Sequence, residues 1–202
     1  KGEVTQAIMV GDTIFIINNS KIFFRKEEKR NDFKPLAFES QSPFHNDGVK
    51  KIHYAPNTHQ LFISYRNRLI YGTIQDGKLV GIKSDSILSI QCFEQNGHKL
   101  YIGTLNDGCI VKDLTNNELD TLFRHKDSTR SNIVDMLVLG KKRFVLTATK
   151  LFFDDLSGKN KSRSIDVRDF QMARIVPYGQ DSLIGISKVG GVYLFRQDSL
   201  SD

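Results

Sequence analysis

Tryptophan is missing altogether, and cysteine, methionine and proline number only two, three and four in 202 residues. Two cysteines exclude a disulfide scaffold and a cysteine-built zinc site. Apolar runs stop at about four residues, so the sequence holds no transmembrane helix and no secretory h-region. No P-loop, Gly-x-Gly-x-x-Gly, His-Glu-x-x-His or Gly-x-Ser-x-Gly element is present, which leaves the common nucleotide, zinc-protease and serine-hydrolase machineries without support. No window keeps an apolar period of 3.6 long enough to make a helix. The chain opens Lys1-Gly2-Glu3 without a methionine, and any signal or anchor is expected to lie outside it.

What is present suits a packed fold. Hydrophobic residues make up 39% and charged residues 26%, and Phe alone contributes 14, enough for a core and too apolar for global disorder. The net charge of +6 and pI near 9.3 are mildly basic, short of a nucleic-acid binder with one clustered patch.

One pattern recurs five times: an apolar-x-x-apolar stretch, a polar turn, an apolar tetrad, a second turn and another apolar run. The copies begin at Val4, Val49, Ile87, Ile133 and Met172, at steps of 45, 38, 46 and 39 residues. A mean step of about 42 matches a four-stranded propeller blade. The segments are short, rich in Ile, Val, Phe and Tyr, and bounded by turn formers such as Asn18-Asn19-Ser20, Asp76-Gly77 and Asn106-Asp107-Gly108, as strands are. Weaker fourth strands fit at Leu36-Ala37-Phe38, Leu79 to Ile82, Leu119 to Phe123 and Ser164 to Val167. The fold expected is therefore all-β: a single β-propeller region over 1–202, with repeats at about 1–45, 46–84, 85–129, 130–168 and 169–202. A β-sandwich is the alternative, but it does not require the 42-residue echo. Nineteen strands are counted, four sets of four plus three. An arc of about five antiparallel blades, part of a larger propeller, is expected from that count. Apolar residues such as Phe15 and Ile184 should then face outward on its first and last blades.

The third repeat carries a resemblance. Ser86-Ile87-Leu88-Ser89-Ile90, then Asn96-Gly97-His98-Lys99-Leu100-Tyr101-Ile102-Gly103-Thr104, then Leu105 to Ile110 and Lys112-Asp113-Leu114 resemble the two-component-regulator propeller repeat. The other copies depart from it. The family's second-strand Trp is Tyr101, Phe62 or Phe15 here, and its Gly-Thr pair becomes Ser64-Tyr65, Thr147-Ala148 and Ile186-Ser187. The resemblance implies a non-enzymatic sensor: the periplasmic region of an inner-membrane receptor of a bacterial two-component system. It also implies a carbohydrate ligand, further blades and a transmembrane histidine kinase in the same polypeptide. A general protein-interaction propeller without a small-molecule ligand is the alternative, and a propeller hydrolase the third reading.

Candidate chemistry is sparse. His45, His53, His59, His98 and His125 fall on different elements with no metal-ligand spacing, and no cofactor or metal is expected. Asp154-Asp155 reads as a solvated pair at a strand end, without the alternation of a calcium loop. Cys92 and Cys109 belong to the first and third strands of one blade, roughly 9–10 Å apart by strand spacing, so buried free thiols are expected. The basic groups Arg25-Lys26 with Lys29-Arg30, Lys50-Lys51, Lys141-Lys142-Arg143 and Lys159/Lys161/Arg163 are assigned mostly to hairpin tips and form no track for a phosphate backbone. No nucleic-acid partner is expected of this region.

In a propeller meander the second-to-third-strand turns share a rim with the connections between blades. Here that rim holds Gln41 to Gly48, Tyr65-Arg66-Asn67, Leu105-Asn106-Asp107, His125 to Asn132, Thr149-Lys150 and Lys188. Amides, carboxylates and guanidinium groups satisfy hydroxyls while aromatic rings cover apolar sugar faces. The ligand-binding candidates are therefore Arg66, Asn67, Asn106, Asp107, Arg130, Lys150 and Lys188, with an oligosaccharide or other small molecule as partner. A homodimer is a further partner expectation.

Overall fold

The computed structural model describes residues 3–27, 32–40, 42–122, 132–157, 162–179 and 182–196. Among them lie twenty strands and one short 3-10 turn at Arg168–Phe170. Blade 1 comprises β1 (Val4–Val10), β2 (Thr13–Asn18), β3 (Lys21–Lys26) and β4 (Lys34–Pro35). After β5 (Ala37–Phe38), blade 2 is built from β6 (Val49–Ala55), β7 (Gln60–Tyr65), β8 (Arg68–Gln75) and β9 (Lys78–Asp85). Blade 3 holds β10 (Ile90–Asn96), β11 (Lys99–Thr104), β12 (Cys109–Asp113) and β13 (Leu119–Thr121). Blade 4 holds β14 (Ile133–Leu139), β15 (Lys142–Thr147), β16 (Lys150–Asp155) and β17 (Arg163–Asp166). Blade 5 has three strands, β18 (Met172–Pro177), β19 (Ser182–Ser187) and β20 (Val192–Arg196). The chain is all-β, and its sheets are the blades of a β-propeller. It comprises two compact units, residues 1–90 with blades 1 and 2, and residues 91–202 with blades 3 to 5.

The repeat seen in sequence is a repeat of register. In blades 1, 2, 4 and 5 the first residue of the first strand pairs with the last of the second: Val4 with Asn18, Val49 with Tyr65, Ile133 with Thr147 and Met172 with Ser187. Each first strand then carries a register shift, between Val4 and Gln6, Val49 and Lys51, Ile133 and Asp135, and Met172 and Arg174. A bulge re-aims the side chain that follows it, and two of these side chains bind the next blade. Gln6 donates to the Ile52 carbonyl and accepts its N–H, both at 2.8 Å. Asp135 accepts the Ile175 N–H at 2.9 Å. The register corrects one expectation: Leu146-Thr147, not Thr147-Ala148, stands where the third repeat has Gly103-Thr104.

Packing follows the same rule. In the first unit Phe15, Ile17 and Ile22 of blade 1 pack with Val49, Ile52, Leu61, Ile63 and Ile70 of blade 2. In the second unit Tyr101, Cys109 and Val111 meet Ile133, Met136, Val138, Val145 and Phe152. Phe144, Leu146 and Leu151 likewise meet Met172, Ile175 and Leu183. The second strands of blades 2, 3 and 4 are buried from their second residue onward, as expected of strands covered on both faces.

Four details differ from the sequence reading. Lys34–Pro35 is the fourth strand of blade 1, whereas Ala37–Phe38 pairs in parallel with β9 of blade 2. The fully buried Leu36 between them donates its N–H to the Ile22 carbonyl, so this segment straps the two blades. Phe15 faces blade 2 and is buried instead of pointing outward. Asp154 is not solvated, and Arg143 is not at a tip. The two are cross-strand partners on β15 and β16, with Nη2 of Arg143 2.9 Å from Oδ2 of Asp154 and both side chains buried.

Both cysteines are free and buried, as expected. Cys109 Sγ donates to Met136 Sδ at 3.8 Å, and burial pushes its thiol up to about 12. Gly103 lies beside Cys92 Sγ, and a Cβ there would stand 2.7 Å from Cγ2 of Ile133 on blade 4. The glycine of the repeat thus lets neighbouring blades approach.

Candidate functional site

The turn between the second and third strands is set by the residue that ends the second strand. In blade 3, Thr104 Oγ1 donates to the Gly108 carbonyl at 2.8 Å and accepts the Asp107 N–H at 2.9 Å. In blade 4, Thr147 Oγ1 donates to the Lys150 carbonyl and accepts the Lys150 N–H, both at 3.0 Å. In blade 5, Ser187 Oγ accepts the Val189 N–H at 3.1 Å. These hydroxyls satisfy the turn's backbone from inside and leave Asn106, Asp107 and Lys188 exposed and Lys150 half-buried. These candidates therefore lie on the corresponding turn of blades 3, 4 and 5. No hydrogen bond or ion pair joins them among the described residues. Arg130 lies outside the described residues, as do His125, Lys159 and Lys161.

Blade 2 is different, because Tyr65 replaces the hydroxyl residue and a long connection from blade 1 lies beside it. Asn46 anchors that connection by accepting the Ile22 N–H at 2.6 Å and donating to the Ile22 and Leu36 carbonyls at 2.7 and 2.8 Å. Phe44 then meets the Tyr65 ring edge-to-face, with centroids 5.6 Å apart. The Tyr65 hydroxyl donates to Asp47 Oδ1 at 3.4 Å, and Arg66 Nη2 lies 3.5 Å from the same oxygen. The Arg66 guanidinium stands 5.3 Å from the Tyr65 centroid and that of Arg68 5.8 Å from the Phe44 centroid. Gly48, at φ +71°, passes under Arg66, where an added Cβ would lie 3.0 Å from Arg66 Cγ. Asn67 completes the exposed turn. Two rings, two guanidinium groups, an amide and a carboxylate are thus gathered on one rim. With its side chain 62% exposed, Arg66 retains N–H groups for a ligand.

Arg66 and Asn67 are legible in the sequence as candidates. Phe44, Asp47 and Arg68 are not, although the rim expected from the sequence includes Gln41 to Gly48. The sequence signal for Phe44 and Asp47 is the His-Asn-Asp-Gly turn at 45–48, but Asn46 reaches back 24 residues to Ile22, and no local pattern shows that bond.

Two clefts lie at the other ends of the strands, one within each unit. The cleft of about 790 Å³ in the second unit is lined by Lys99, Tyr101, Asp113, Glu118, Arg143 and Asp155 among others. Its carboxylates are engaged in their own turns: Asp113 with Thr115 at 2.5 and 2.8 Å, Glu118 with Asn116 at 2.9 Å, and Asp155 with Ser157 at 2.8 Å. The Thr115 hydrogen bonds hold the Asp113 carboxyl below its ordinary value. The cleft of about 700 Å³ in the first unit includes Tyr54, whose hydroxyl lies 3.1 Å from His59 Nδ1.

No family model and no curated protein matches the chain. Solved structures do. PorZ, an essential bacterial surface component of the type-IX secretion system of Porphyromonas gingivalis, matches over 99% of this chain and 27% of its own, at 15% identity and TM-score 0.70. U3-55K matches over 99% and 63%, at 13% identity and TM-score 0.73. The computationally designed Ika8 protein matches over 99% and 60%, at 9% identity and TM-score 0.70. The chain spans less than two thirds of each of these three structures. At such identities the likeness is one of fold.

Proposed function

We propose that this propeller region is a non-enzymatic binding module whose rim at Phe44, Tyr65, Arg66 and Asn67 takes an oligosaccharide or another hydroxyl-rich small molecule. It serves as the sensing region of a periplasmic receptor of a two-component system, with the kinase elsewhere in the receptor. The observation that carries the ligand reading is the Phe44–Tyr65–Arg66 cluster. Tyr65 is buried and holds Phe44 and Arg66 in place; the half-buried Phe44 ring offers apolar surface for a sugar face, and an exposed guanidinium with a neighbouring amide and carboxylate offers donors and acceptors for hydroxyls. The receptor reading rests on the third repeat and on the repeated blade register, and a bacterial surface protein among the similar folds is consistent with it. A ligand moves such a receptor only through its differential affinity for two arrangements.

Calorimetry against a panel of soluble glycan oligosaccharides tests the binding reading. At least one member should bind, and replacing Arg66 and Asn67 by alanine should weaken it at least tenfold, about 1.4 kcal/mol. These exposed-turn changes should alter stability by no more than about 0.5 kcal/mol. No binding by the parent chain, or unchanged binding by the double variant, would overturn it. A protein-interaction scaffold is the second reading, favoured by an exposed apolar sheet face on blade 5.

A further inference from the structure

Blade 3 departs from the other blades at one row of its sheet. In each blade the residue after the first-strand bulge, its partner on the second strand and that residue's partner on the third stand side by side. The row is Gln6, Ile17 and Ile22 in blade 1 and Asp135, Leu146 and Leu151 in blade 4. Its middle residue carries a side chain in blades 2 and 5 as well, as Ser64 and Ile186. In blade 3 the row is Cys92, Gly103 and Cys109, with a glycine between two cysteines.

The missing side chain brings sulfur together. Gly103 pairs directly with Cys109, and Cys92 Sγ occupies the place where a Cβ on Gly103 would stand. The Cβ positions of directly paired residues lie about 4.5–5.5 Å apart, so Cys92 reaches across the intervening strand to about one such spacing from the Cys109 side chain. From blade 4, Met136 brings its Sδ to 3.8 Å from Cys109 Sγ. The three side chains share one core cluster of the second unit, walled by Ile133, Val138 and Val145. Cys92 is 8%, Cys109 0% and Met136 3% exposed. A disulfide does not suit this spacing, because two strand separations hold the cysteine Cα atoms roughly 9–10 Å apart and the bridge needs them within about 7 Å. A metal ion spans more, since two metal–sulfur bonds of about 2.3 Å replace one S–S bond of about 2.0 Å.

We propose that Cys92, Cys109 and Met136 form a three-sulfur site for a single Cu(I) ion at the interface of blades 3 and 4. Thiolate and thioether are the soft ligands that select Cu(I). Zinc takes four ligands in a tetrahedron, drawn from thiolate, imidazole and carboxylate. No group of three His, Cys, Asp or Glu that could hold a metal occurs among the described residues. Binding replaces two S–H bonds by metal–thiolate bonds, both protons pass to solvent, and copper stays in the +1 state. Coordination deprotonates a thiol outright, so a buried thiol is a competent ligand.

Because the sulfurs are buried, they are best loaded during folding: the full chain is refolded from urea, without oxygen, in Cu(I) buffered by bicinchoninate. One Cu(I) per chain should survive gel filtration, and X-ray absorption at the copper edge should show three sulfur neighbours and no nitrogen or oxygen. The urea midpoint should rise with free Cu(I), as it does when a ligand binds the native chain more tightly than the unfolded one. Met136→Leu conserves volume and should keep the fold by circular dichroism, weaken Cu(I) at least tenfold and leave two sulfur neighbours. Cys92→Ala should abolish retention, and the Met136 variant decides alone if that chain does not fold. No copper retained, a midpoint that Cu(I) leaves unchanged, nitrogen or oxygen neighbours, or Met136→Leu binding as tightly as the parent overturns the inference. So does Zn(II) retained as tightly as Cu(I) under the same treatment.

Discussion

Replacing Asp154 by asparagine should be among the most damaging single changes in this protein. Asp154 sits across from Arg143 on β15 and β16, with Nε and Nη2 3.3 and 2.9 Å from its Oδ2. The two side chains are only 6% and 8% exposed, and the guanidinium lies 5.7 Å from the Tyr101 centroid on blade 3. Asparagine keeps the shape and removes the charge, so the guanidinium stays buried without its counter-ion at a cost of about 3–5 kcal/mol. Replacing both partners, as in Arg143→Met with Asp154→Leu, removes charge and countercharge together. It should restore most of the loss, to within roughly 1 kcal/mol of the parent. The control is Asp47→Asn on the rim, where Arg66 and Asp47 are 62% and 50% exposed and the change should be about 0.5 kcal/mol or less. Urea unfolding followed by tyrosine fluorescence suits a chain with six Tyr and no Trp, read as a midpoint shift at constant slope. A loss under about 1 kcal/mol for Asp154→Asn, or a double variant no more stable than the single one, would refute the buried-pair reasoning.

Gly103→Ala should destabilise by about 1–3 kcal/mol, seen as a lowered thermal midpoint, because the new Cβ meets Cys92 and Ile133 on neighbouring strands; an unchanged midpoint would contradict the close approach of blades 3 and 4. Burial pushes the Glu94 carboxyl from 4.5 up to about 7, against the Val138 N–H it accepts and with help from Asp135. The folded value is the higher one, so the folded chain holds an extra proton between those limits and loses stability as pH rises through them. Glu94→Gln should therefore gain on the order of 1–2 kcal/mol relative to the parent on going from pH 5 to pH 8, allowing for screening at a partly exposed group; parallel pH profiles would contradict this. Cys92 and Cys109 should resist thiol reagents in the native chain and react after denaturation, since Cys109 is buried with its thiol pushed up to about 12; prompt native labelling would show the core between blades 3 and 4 to be open.

The blades were legible because their strands are separated by turn formers and repeat at a fixed length. A strand buried on both faces, such as Leu100 to Thr104, reads as an apolar run whatever its partners are. What escaped was decided by partners distant in sequence. Lys34–Pro35 and Ala37–Phe38 are two residues each, too short for alternation to show which blade they join. Asp154 and Arg143 carry the charge pattern of a surface, and only the register of β15 on β16 pairs them inside. The direction of Phe15 followed from which face each blade turns forward, and hydropathy does not encode that. At the rim, Arg66 and Asn67 were recognisable as turn residues after a strand. Phe44 and Asp47 reach Tyr65 and Arg66 only because Asn46 ties their loop to Ile22 and Leu36.

The most direct test of the rim as a ligand site is to map a bound oligosaccharide by amide and methyl chemical-shift changes on the isotopically labelled chain. A saturable response should centre on Phe44, Tyr65, Arg66 and Asn67, with the clefts at Tyr54 and Tyr101 undisturbed. Shifts confined to those clefts, or no response to any glycan in the panel, would contradict it.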